Sequence, residues 1–219
     1  MTAAAFGPVL EQGAQTLGLQ LHADQRQRLL GHLAMIERWN KVYNLTAVRD
    51  PAQMLVQHLL DSLSVIAPLR RHTGGAAAAV LDVGSGAGLP GVTIALACPE
   101  LAVSCVDTVA KKASFIRQVA AELPVPNLQA LHARVETLPP RPWQLITARA
   151  FSSLADLVAL TRPLLAPGGV WMAMKGQHPG EEIAALPPDI DVFHVEQLLV
   201  PGMEAERCLV WMKERENLA

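Results

Sequence analysis

Apolar side chains in the first seventy residues follow the spacing of helices. Leu29, Leu33 and Ile36 recur every three or four positions, which predicts a helix with one buried face. Asp24 and Gln27 have the spacing of a capping box, so this helix is expected to begin beside them. The pattern predicts a helical N-terminal region.

A further helix is predicted to begin at Asp50-Pro51. The Asp50 carboxylate can accept the free N–H groups of a first turn, and Pro51 lacks the N–H that would be unpaired there anyway. The residues expected on one side of this helix are Met54, Leu55, His58, Leu59 and Ser62.

After residue 79 the pattern changes to short β-rich runs that alternate with helical stretches, which predicts a mainly parallel sheet covered on both faces. Residues 71–79 are expected to be a linker. The fold class is therefore α/β, doubly wound, with an N-terminal helical extension (1–72) before the main domain (73–219). The predicted strands are 80–83, 103–107, 128–132, 145–148 and 170–174, the helices are 92–97, 111–123 and 154–165, and 192–200 with 208–213 form a terminal hairpin.

Composition limits the partners of the chain. Half of its 219 residues are hydrophobic, enough for one sizeable core. Charged residues make up 17% and the net charge is −2, so no global positive field attracts nucleic acid. Any contact with RNA must therefore come from a local basic patch.

Cysteine usage and the apolar runs indicate a cytoplasmic protein. Cys98, Cys105 and Cys208 are far apart and show no CxxC spacing, so neither a disulfide framework nor a metal site is expected. The N-terminus lacks a basic n-region, and no apolar run approaches about 18 residues, so neither a signal peptide nor membrane association is expected. Sequence does not fix the oligomeric state; we expect a monomer.

The most informative segment is the glycine-rich run from Leu81 to Gly91. Gly84, Gly86 and Gly88 let the backbone turn tightly and approach a ligand, just before a helix whose N-terminal N–H groups are expected to face it. Asp107 ends the next strand about 20 residues later, where a carboxylate can accept both hydroxyls of a ribose. These positions predict a nucleotide or nucleoside pocket.

A nicotinamide-binding oxidoreductase is one alternative, because Gly86, Gly88 and Gly91 satisfy the dinucleotide spacing. Three features count against it. Asp82, before the first glycine, is typical of methyltransferase loops, where it can orient the loop and the cofactor amino group. Leu89-Pro90 adds bulk where a pyrophosphate needs close approach, and the only tyrosine lies far upstream. A loop that merely turns is the third interpretation.

Several separate motifs between Leu29 and Lys213 resemble the bacterial RsmG (GidB) family. They are Trp39-Asn40-Lys41-Val42-Tyr43-Asn44-Leu45-Thr46, His58-Leu59-Leu60-Asp61-Ser62, the glycine loop with Leu89-Pro90-Gly91, Arg134-Val135-Glu136, Arg149-Ala150-Phe151 and Lys175-Gly176-Gln177. The resemblance implies a Rossmann-like class I methyltransferase fold, S-adenosylmethionine as cofactor, and methylation of N7 of a guanine in small-subunit (16S) ribosomal RNA.

The same resemblance assigns cofactor contacts. It implies that Gly84, Leu89, Val135, Glu136 and Arg149 contact the cofactor, with Val135 and Glu136 near the adenine. The glycine-loop argument adds Gly86 and Gly88, and the ribose argument adds Asp107. The chain departs from the family pattern at two positions: Ala148 stands where a serine is expected, and Cys208 stands where a histidine is expected.

The residue types in the chain fit a ring-nitrogen acceptor. The N7 lone pair of guanine is free at neutral pH, so methyl transfer needs positioning rather than a general base. An Asn-Pro-Pro-Tyr-like tetrapeptide for an exocyclic amine is missing from the sequence, and Cys98 and Cys105 are expected to be buried hydrophobes rather than nucleophiles.

Basic residues at the ends of strand runs are the candidates for acceptor binding, because doubly wound domains bind ligands at that edge. Arginine can donate to guanine O6 and to phosphate. We expect Arg149 to hold cofactor and acceptor in register, with Arg134 and Lys175 as further catalytic candidates. The residues expected to meet RNA are Asn44, Arg134, Lys175 and Arg207.

Other polar and aromatic residues in the extension have two interpretations. Asn44 and Asp61 are expected at the mouth of the acceptor pocket. His58 is expected to pack the extension onto the sheet through a hydrogen bond. Trp39 and Trp143 can stack a flipped base, although tryptophans at apolar positions are more often part of a core.

Three functions remain open from these residues: an RNA methyltransferase, a nicotinamide-linked oxidoreductase, and a cofactor-sensing or scaffold protein. The modest basic content favours an acceptor presented by a small-subunit ribonucleoprotein rather than bare RNA.

Overall fold

The computed structural model describes residues 3–215, beginning with a helical region. Its helices are α1 (Ala3–Thr16), α2 (Ala23–Tyr43), α3 (Pro51–Met54), α4 (Asp61–Leu63) and α5 (Ile66–Thr73), with a π-helical turn at Leu55–Leu60 between α3 and α4.

A single sheet follows, with helices between its strands. Its strands are β1 (Ala78–Val83), β2 (Leu101–Asp107), β3 (Leu128–His132), β4 (Trp143–Arg149), β5 (Leu165–Lys175), β6 (Ile190–Gln197) and β7 (Cys208–Glu214). The helices here are α6 (Gly91–Ala97), α7 (Ala110–Glu122), α8 (Leu154–Thr161) and α9 (Gly180–Ala184), with 3₁₀ turns at Val135–Thr137 and Arg162–Leu164.

The strand order is β3-β2-β1-β4-β5-β7-β6. Strands β1 to β5 pair in parallel, whereas β7 pairs antiparallel with β5 and β6. The predicted doubly wound sheet and its terminal hairpin are therefore confirmed. The carboxyl ends of β1, β2 and β4 meet at one edge, where the order of the chain reverses about β1, and ligands of such sheets bind at that edge.

Alternate residues of the strands pack into two cores, as period-two side-chain alternation requires. Val80 and Val103 face the core under α6, α7 and the N-terminal helices, whereas Leu81 and Val106 face the core under α8. Because the extension shares a core with the sheet, the division into residues 1–72 and 73–219 is not a boundary between separate cores, and it stays a prediction.

The predicted start at Asp50-Pro51 agrees with the structure, because the Asp50 carboxylate accepts a hydrogen bond from Gln53 N–H at 3.0 Å. The capping box at Asp24 and Gln27 is wrong. The capping box of helix α2 lies two residues earlier, with His22 as the N-cap, and the Gln25 side chain accepts from the His22 N–H at 2.9 Å.

Three other bounds differ from the sequence-based predictions. The linker predicted at 71–79 is shorter, because α5 continues to Thr73 and β1 begins at Ala78. The helix predicted at 154–165 ends at Thr161 and continues as a 3₁₀ turn that contains Pro163, a residue without an N–H for a longer helix. Helix α9 was not predicted, since it is short and has no buried face. Across residues 3–215, none of the helices combines the length and the apolarity that a membrane span needs.

Candidate active site

The glycine-rich loop turns sharply at the end of β1. Gly84, Gly86 and Gly88 have φ values of 70°, 58° and 79°, in the left-handed region that glycine adopts at low cost. Gly84 and Gly86 line a cavity, whereas Gly88 faces the protein interior. A Cβ on Gly88 would overlap the Val92 side chain, so this glycine allows close packing of loop and helix rather than contact with a ligand.

Asp82 fixes the end of the glycine-rich loop through a buried hydrogen bond. Its Oδ2 accepts a hydrogen bond from Gly91 N–H at 2.9 Å, and burial raises the pKa of this carboxyl to about 6. The expectation that Asp82 orients the loop agrees with this contact. The structure does not agree with the expectation that Asp82 also contacts the cofactor amino group, because Asp82 is fully buried and lines neither of the cavities described below.

The first two N–H groups of α6 do not face a ligand, contrary to the expectation from sequence. Gly91 N–H donates to Asp82, and Val92 N–H donates to Gly88 O at 2.8 Å. These two N–H groups are therefore satisfied within the protein, and the glycine loop itself lines the cavity described below.

Asp107 lies at the end of β2, beside the loop. Its two carboxylate oxygens accept hydrogen bonds from Gly86 N–H at 2.9 Å and Val109 N–H at 2.8 Å, and Lys112 Nζ lies 3.8 Å from Oδ2. A carboxylate has about four lone-pair sites, so two hydroxyl groups can still donate to it. The contacts fix the carboxylate at the position predicted for a ribose ligand.

Two adjoining cavities open at this edge of the sheet. One, of about 360 Å³, is lined by Asp107, Val135 and Glu136, and we name it the Asp107 cavity. The other, of about 560 Å³, is lined by the glycine loop and Arg149, and we name it the Arg149 cavity. Both share Gly84 and Lys112, so an extended ligand can cross from one to the other.

The Arg149 cavity is basic. Arg149, Lys175 and Arg207 all line it, as does Lys112 from the start of α7. Arg149 ends β4, Lys175 ends β5, and Arg207 precedes β7, which runs antiparallel, so all three reach the same edge. The structure therefore brings together three of the four strand-end cations singled out from sequence.

Arg134 is the exception. Arg134 lines the Asp107 cavity but not the Arg149 cavity, and its guanidinium donates to Glu136 Oε1 at 3.0 Å on an exposed surface. The structure thus places Arg134 at the end of the cleft away from Lys175 and Arg207, and its expected catalytic role is not supported by this position. The reason is that two strands, β2 and β1, lie between β3 and β4 in the sheet.

Two further predicted contacts lie outside the cavities. Asn44 is exposed, with φ 51°, and its Oδ1 accepts from Arg49 at 2.6 Å, although the next two residues, Leu45 and Thr46, do line the Arg149 cavity. Trp39 packs edge-on against Phe115 with ring centroids 5.3 Å apart, as expected of a core residue rather than a base-stacking platform.

His58 has a structural role at the wall of the Arg149 cavity. Its Nε2 lies 2.8 Å from Thr46 Oγ1, a hydrogen bond that joins two parts of the extension. Burial, together with the charge of Arg149, lowers the pKa of His58, so the ring is neutral at pH 7. His58 therefore adds no charge that competes with the cations.

The cysteines are buried, as the sequence indicated. Burial raises the pKa of Cys98 to about 11 and raises the pKa of Cys105 well above its usual value, so neither thiol ionises at neutral pH. Neither is a nucleophile in this state. Within residues 3–215, no group of histidine, cysteine and acidic side chains is placed to hold a metal ion.

Comparison with known proteins gives the family. The model of the family described as rRNA small subunit methyltransferase G matches residues 25–210. The chain belongs to this family. It is 68% identical over 97% of its length to the ribosomal RNA small subunit methyltransferase G of Methylibium petroleiphilum, covering 96% of that protein. It is also 68% identical to the protein of the same name from Leptothrix cholodnii, over 93% of each chain.

The fold agrees with this membership. A crystal structure of a SAM-dependent methyltransferase from Aquifex aeolicus superposes with a TM-score of 0.54 at 17% identity, covering 74% of this chain and 97% of the other. At that identity the likeness concerns the fold alone. The chain thus has the Rossmann-like class I methyltransferase fold with N-terminal helices, as its motifs predicted.

Sequence reasoning missed two side chains that shape the site of this family member. Lys112 lines both cavities, and its only signal in the sequence was a Lys-Lys pair soon after Asp107. His32, on α2, is fully buried, and its Nε2 lies 2.9 Å from Ala87 O in the glycine loop. A carbonyl only accepts, so Nε2 carries the proton and donates. Helix α2 therefore braces the loop.

The buried His32 predicts a specific dependence of stability on pH. Burial lowers its pKa to about 4 from 6.5, so between these values the unfolded chain binds the proton more readily. The neutral ring contributes fully to the free energy of unfolding above pH 6.5. About 2–4 kcal/mol of that free energy is lost as the pH falls toward 4. We expect urea unfolding to show a smaller loss on acidification in His32→Gln, which keeps a donor for Ala87 but does not titrate. Equal losses in both proteins would contradict this assignment.

Proposed function

We propose that this protein transfers a methyl group from S-adenosylmethionine to N7 of a guanine in small-subunit (16S) ribosomal RNA. The observation that carries the proposal is the pair of cavities that meet at Gly84, one ending at a fixed carboxylate and the other lined by cations. Family membership supports the substrate class, since the relatives are named as small-subunit ribosomal RNA methyltransferases.

The residues of the cleft fit S-adenosylmethionine. The Asp107 cavity suits an adenosine: Asp107 can accept ribose hydroxyls, and Val135, which is buried, can pack against the adenine beside Glu136. Gly84 and Gly86 allow the methionine part to approach the backbone, and Leu89 supplies an apolar wall in the Arg149 cavity. When bound, the cofactor supplies a methyl group on a positively charged sulfur.

The cations of the Arg149 cavity are proposed to bind the acceptor. Arg149 can donate to guanine O6 or to phosphate, and Lys175 and Arg207 can bind phosphate beside it. N7 needs no deprotonation, so the neutral His58 and the protonated cysteines are not required as bases or nucleophiles. The protein's contribution is to hold N7 in line with the methyl group, which can supply about 7–11 kcal/mol of the barrier.

Methylation of small ribosomal subunits tests this function. Subunits from cells lacking the protein should accept a labelled methyl group from S-adenosylmethionine when the wild-type enzyme is added, and the label should map to one 7-methylguanosine. Free RNA and assembled subunits are compared, because the sparse basic surface favours a ribonucleoprotein substrate. Calorimetry should show binding of S-adenosylmethionine and no binding of NADH.

Two outcomes would reject the proposal. Binding of NADH without S-adenosylmethionine would favour an oxidoreductase, and binding of S-adenosylmethionine without turnover on any RNA would favour a cofactor-sensing protein. A cytoplasmic location and a monomeric state are part of the same proposal, and size-exclusion chromatography with light scattering tests the second.

A further inference from the structure

Asp61 lies between two arginines of the Arg149 cavity. Its Oδ2 accepts from Arg149 Nη1 at 2.9 Å, and its Oδ1 accepts from Arg207 Nε at 3.0 Å. Only 2% of the Asp61 side chain is exposed, whereas the arginine side chains are about a quarter exposed. Asp61 lines the Arg149 cavity together with both arginines, but its carboxylate is almost fully covered, whereas the guanidinium groups are more exposed.

The helix that carries Asp61 offers Arg149 a second acceptor. In a regular α-helix the Asp61 N–H would donate to the Gln57 carbonyl, four residues back. Here it donates to Val56 O, five residues back, and to His58 O, because the Leu55–Leu60 turn is π-helical. The Gln57 carbonyl, freed of that partner, accepts from Arg149 Nη1 at 3.0 Å. Such π-helical turns are frequent at functional sites.

These contacts restrict the orientation of Arg149. Within residues 3–215 both of its hydrogen bonds use Nη1, so Nη2 and Nε keep their donor hydrogens for a ligand. A guanidinium is planar, and fixing one nitrogen to two acceptors limits the direction of the other two. Without Asp61, two cations would face each other across the same small volume and repel.

We propose that Asp61 is a positioning residue that holds Arg149, and secondarily Arg207, in the orientation that receives the acceptor guanine. The inference rests on the proposed function and deepens it. The residue does not need to touch the substrate: it acts through the arginines, which lie 88 and 146 residues away in the chain. Its effect should appear in the reaction with RNA rather than in cofactor binding, because Asp61 does not line the Asp107 cavity.

The first variant that tests this is Asp61→Asn, assayed with S-adenosylmethionine and small subunits. An amide can accept from only one arginine and would place its NH₂ group against the other. We expect kcat at saturating RNA to fall roughly 30- to 100-fold, as misplacement of a reacting group by about 1 Å can do. The dissociation constant for S-adenosylmethionine should stay within about threefold of wild type, because the adenosine site is unchanged.

A double variant separates positioning from simple charge balance. Asp61→Asn combined with Arg207→Gln removes one charge of each sign, so the net charge of the cluster of Asp61, Arg149 and Arg207 is preserved. The double variant should therefore fold even if Asp61→Asn alone is unstable. If Asp61 positions Arg149, the double variant should be at least about tenfold slower than Arg207→Gln alone. A double variant as fast as Arg207→Gln would overturn the proposal.

Glu196→Gln is the matched control. Glu196 is also a partly buried carboxylate that binds an arginine, Arg71 at 2.6 Å, and it accepts from Trp211 Nε1 at 3.0 Å, but it lies on the hairpin outside both cavities. This variant should keep wild-type kcat. The wild-type enzyme tests the proposed function: if it does not methylate small subunits, that function and the positioning role are both rejected. If wild type is active and Asp61→Asn is equally active, only the positioning role is rejected.

Discussion

Replacing Arg149 by alanine is expected to lower kcat/KM for small-subunit methylation by about 10²–10³-fold, the range seen when a positioned donor is lost from a reaction site. Arg149 ends β4, lines the Arg149 cavity and is fixed there by Asp61 and Gln57. Its loss removes a donor from the Arg149 cavity and releases the buried carboxylate of Asp61 from one of its two arginine partners. Steady-state kinetics with isolated subunits measures the effect.

Arg38→Ala is the control for that experiment. Arg38 also pairs with a carboxylate, Glu122 at 3.1 Å, but on the exposed face of α2, where such a pair contributes little. It should leave kcat/KM within about twofold of wild type. Retained methylation in Arg149→Ala, with unchanged affinity for S-adenosylmethionine, would remove Arg149 from the site.

Gly88→Ala is expected to lower the free energy of unfolding by about 2–5 kcal/mol, through left-handed strain and overpacking together. The backbone at Gly88 has φ 79°, and an added Cβ would overlap Val92 and approach Ile116 Cγ1 to 3.4 Å. Both neighbours are fully buried, so neither can move into solvent. Urea unfolding measures the loss.

Gly75→Ala isolates the strain from the overlap. Gly75 has nearly the same φ, 76°, but a Cβ there meets nothing within 4 Å. This variant should lose only about 1–2 kcal/mol, the cost of the left-handed backbone alone. Equal losses in the two variants would show that the space around Gly88 is not limiting. Normal stability of Gly88→Ala with weakened cofactor binding would instead return Gly88 to the ligand surface.

Much of the site's framework followed from local sequence pattern. The glycines after β1 and the aspartate after β2 are predictable because strand periodicity and left-handed turns depend on neighbouring residues alone. The parallel order then brings Gly84 and Asp107 to one edge, since parallel strands share the direction of their carboxyl ends. The corrections to the capping box and the linker are shifts of a few residues at element ends, where local preference is weakest.

The roles of individual polar side chains needed the fold. Asp82 and Asp107 both lie near strand ends, and both accept hydrogen bonds from N–H groups of the glycine-rich run. Only Asp107 lines a cavity, because Asp82 is fully buried against Gly91. Arg134 and Lys175 both follow strand runs, yet sheet order puts them at opposite ends of the cleft. Sequence position at a strand end predicted the edge but not the cavity.

The sequence by itself determined the alternation of strands and helices, the glycine turn with the aspartate that ends β2, and the family, because these depend on backbone dihedral preference, on residue period and on short motifs. Tertiary structure alone decided which distant groups meet: His32 with the glycine loop, and Asp61 with Arg149 and Arg207. Such pairings depend on how separate elements pack and in which register, and an α-helical pattern does not reveal a π-helical turn that frees one carbonyl.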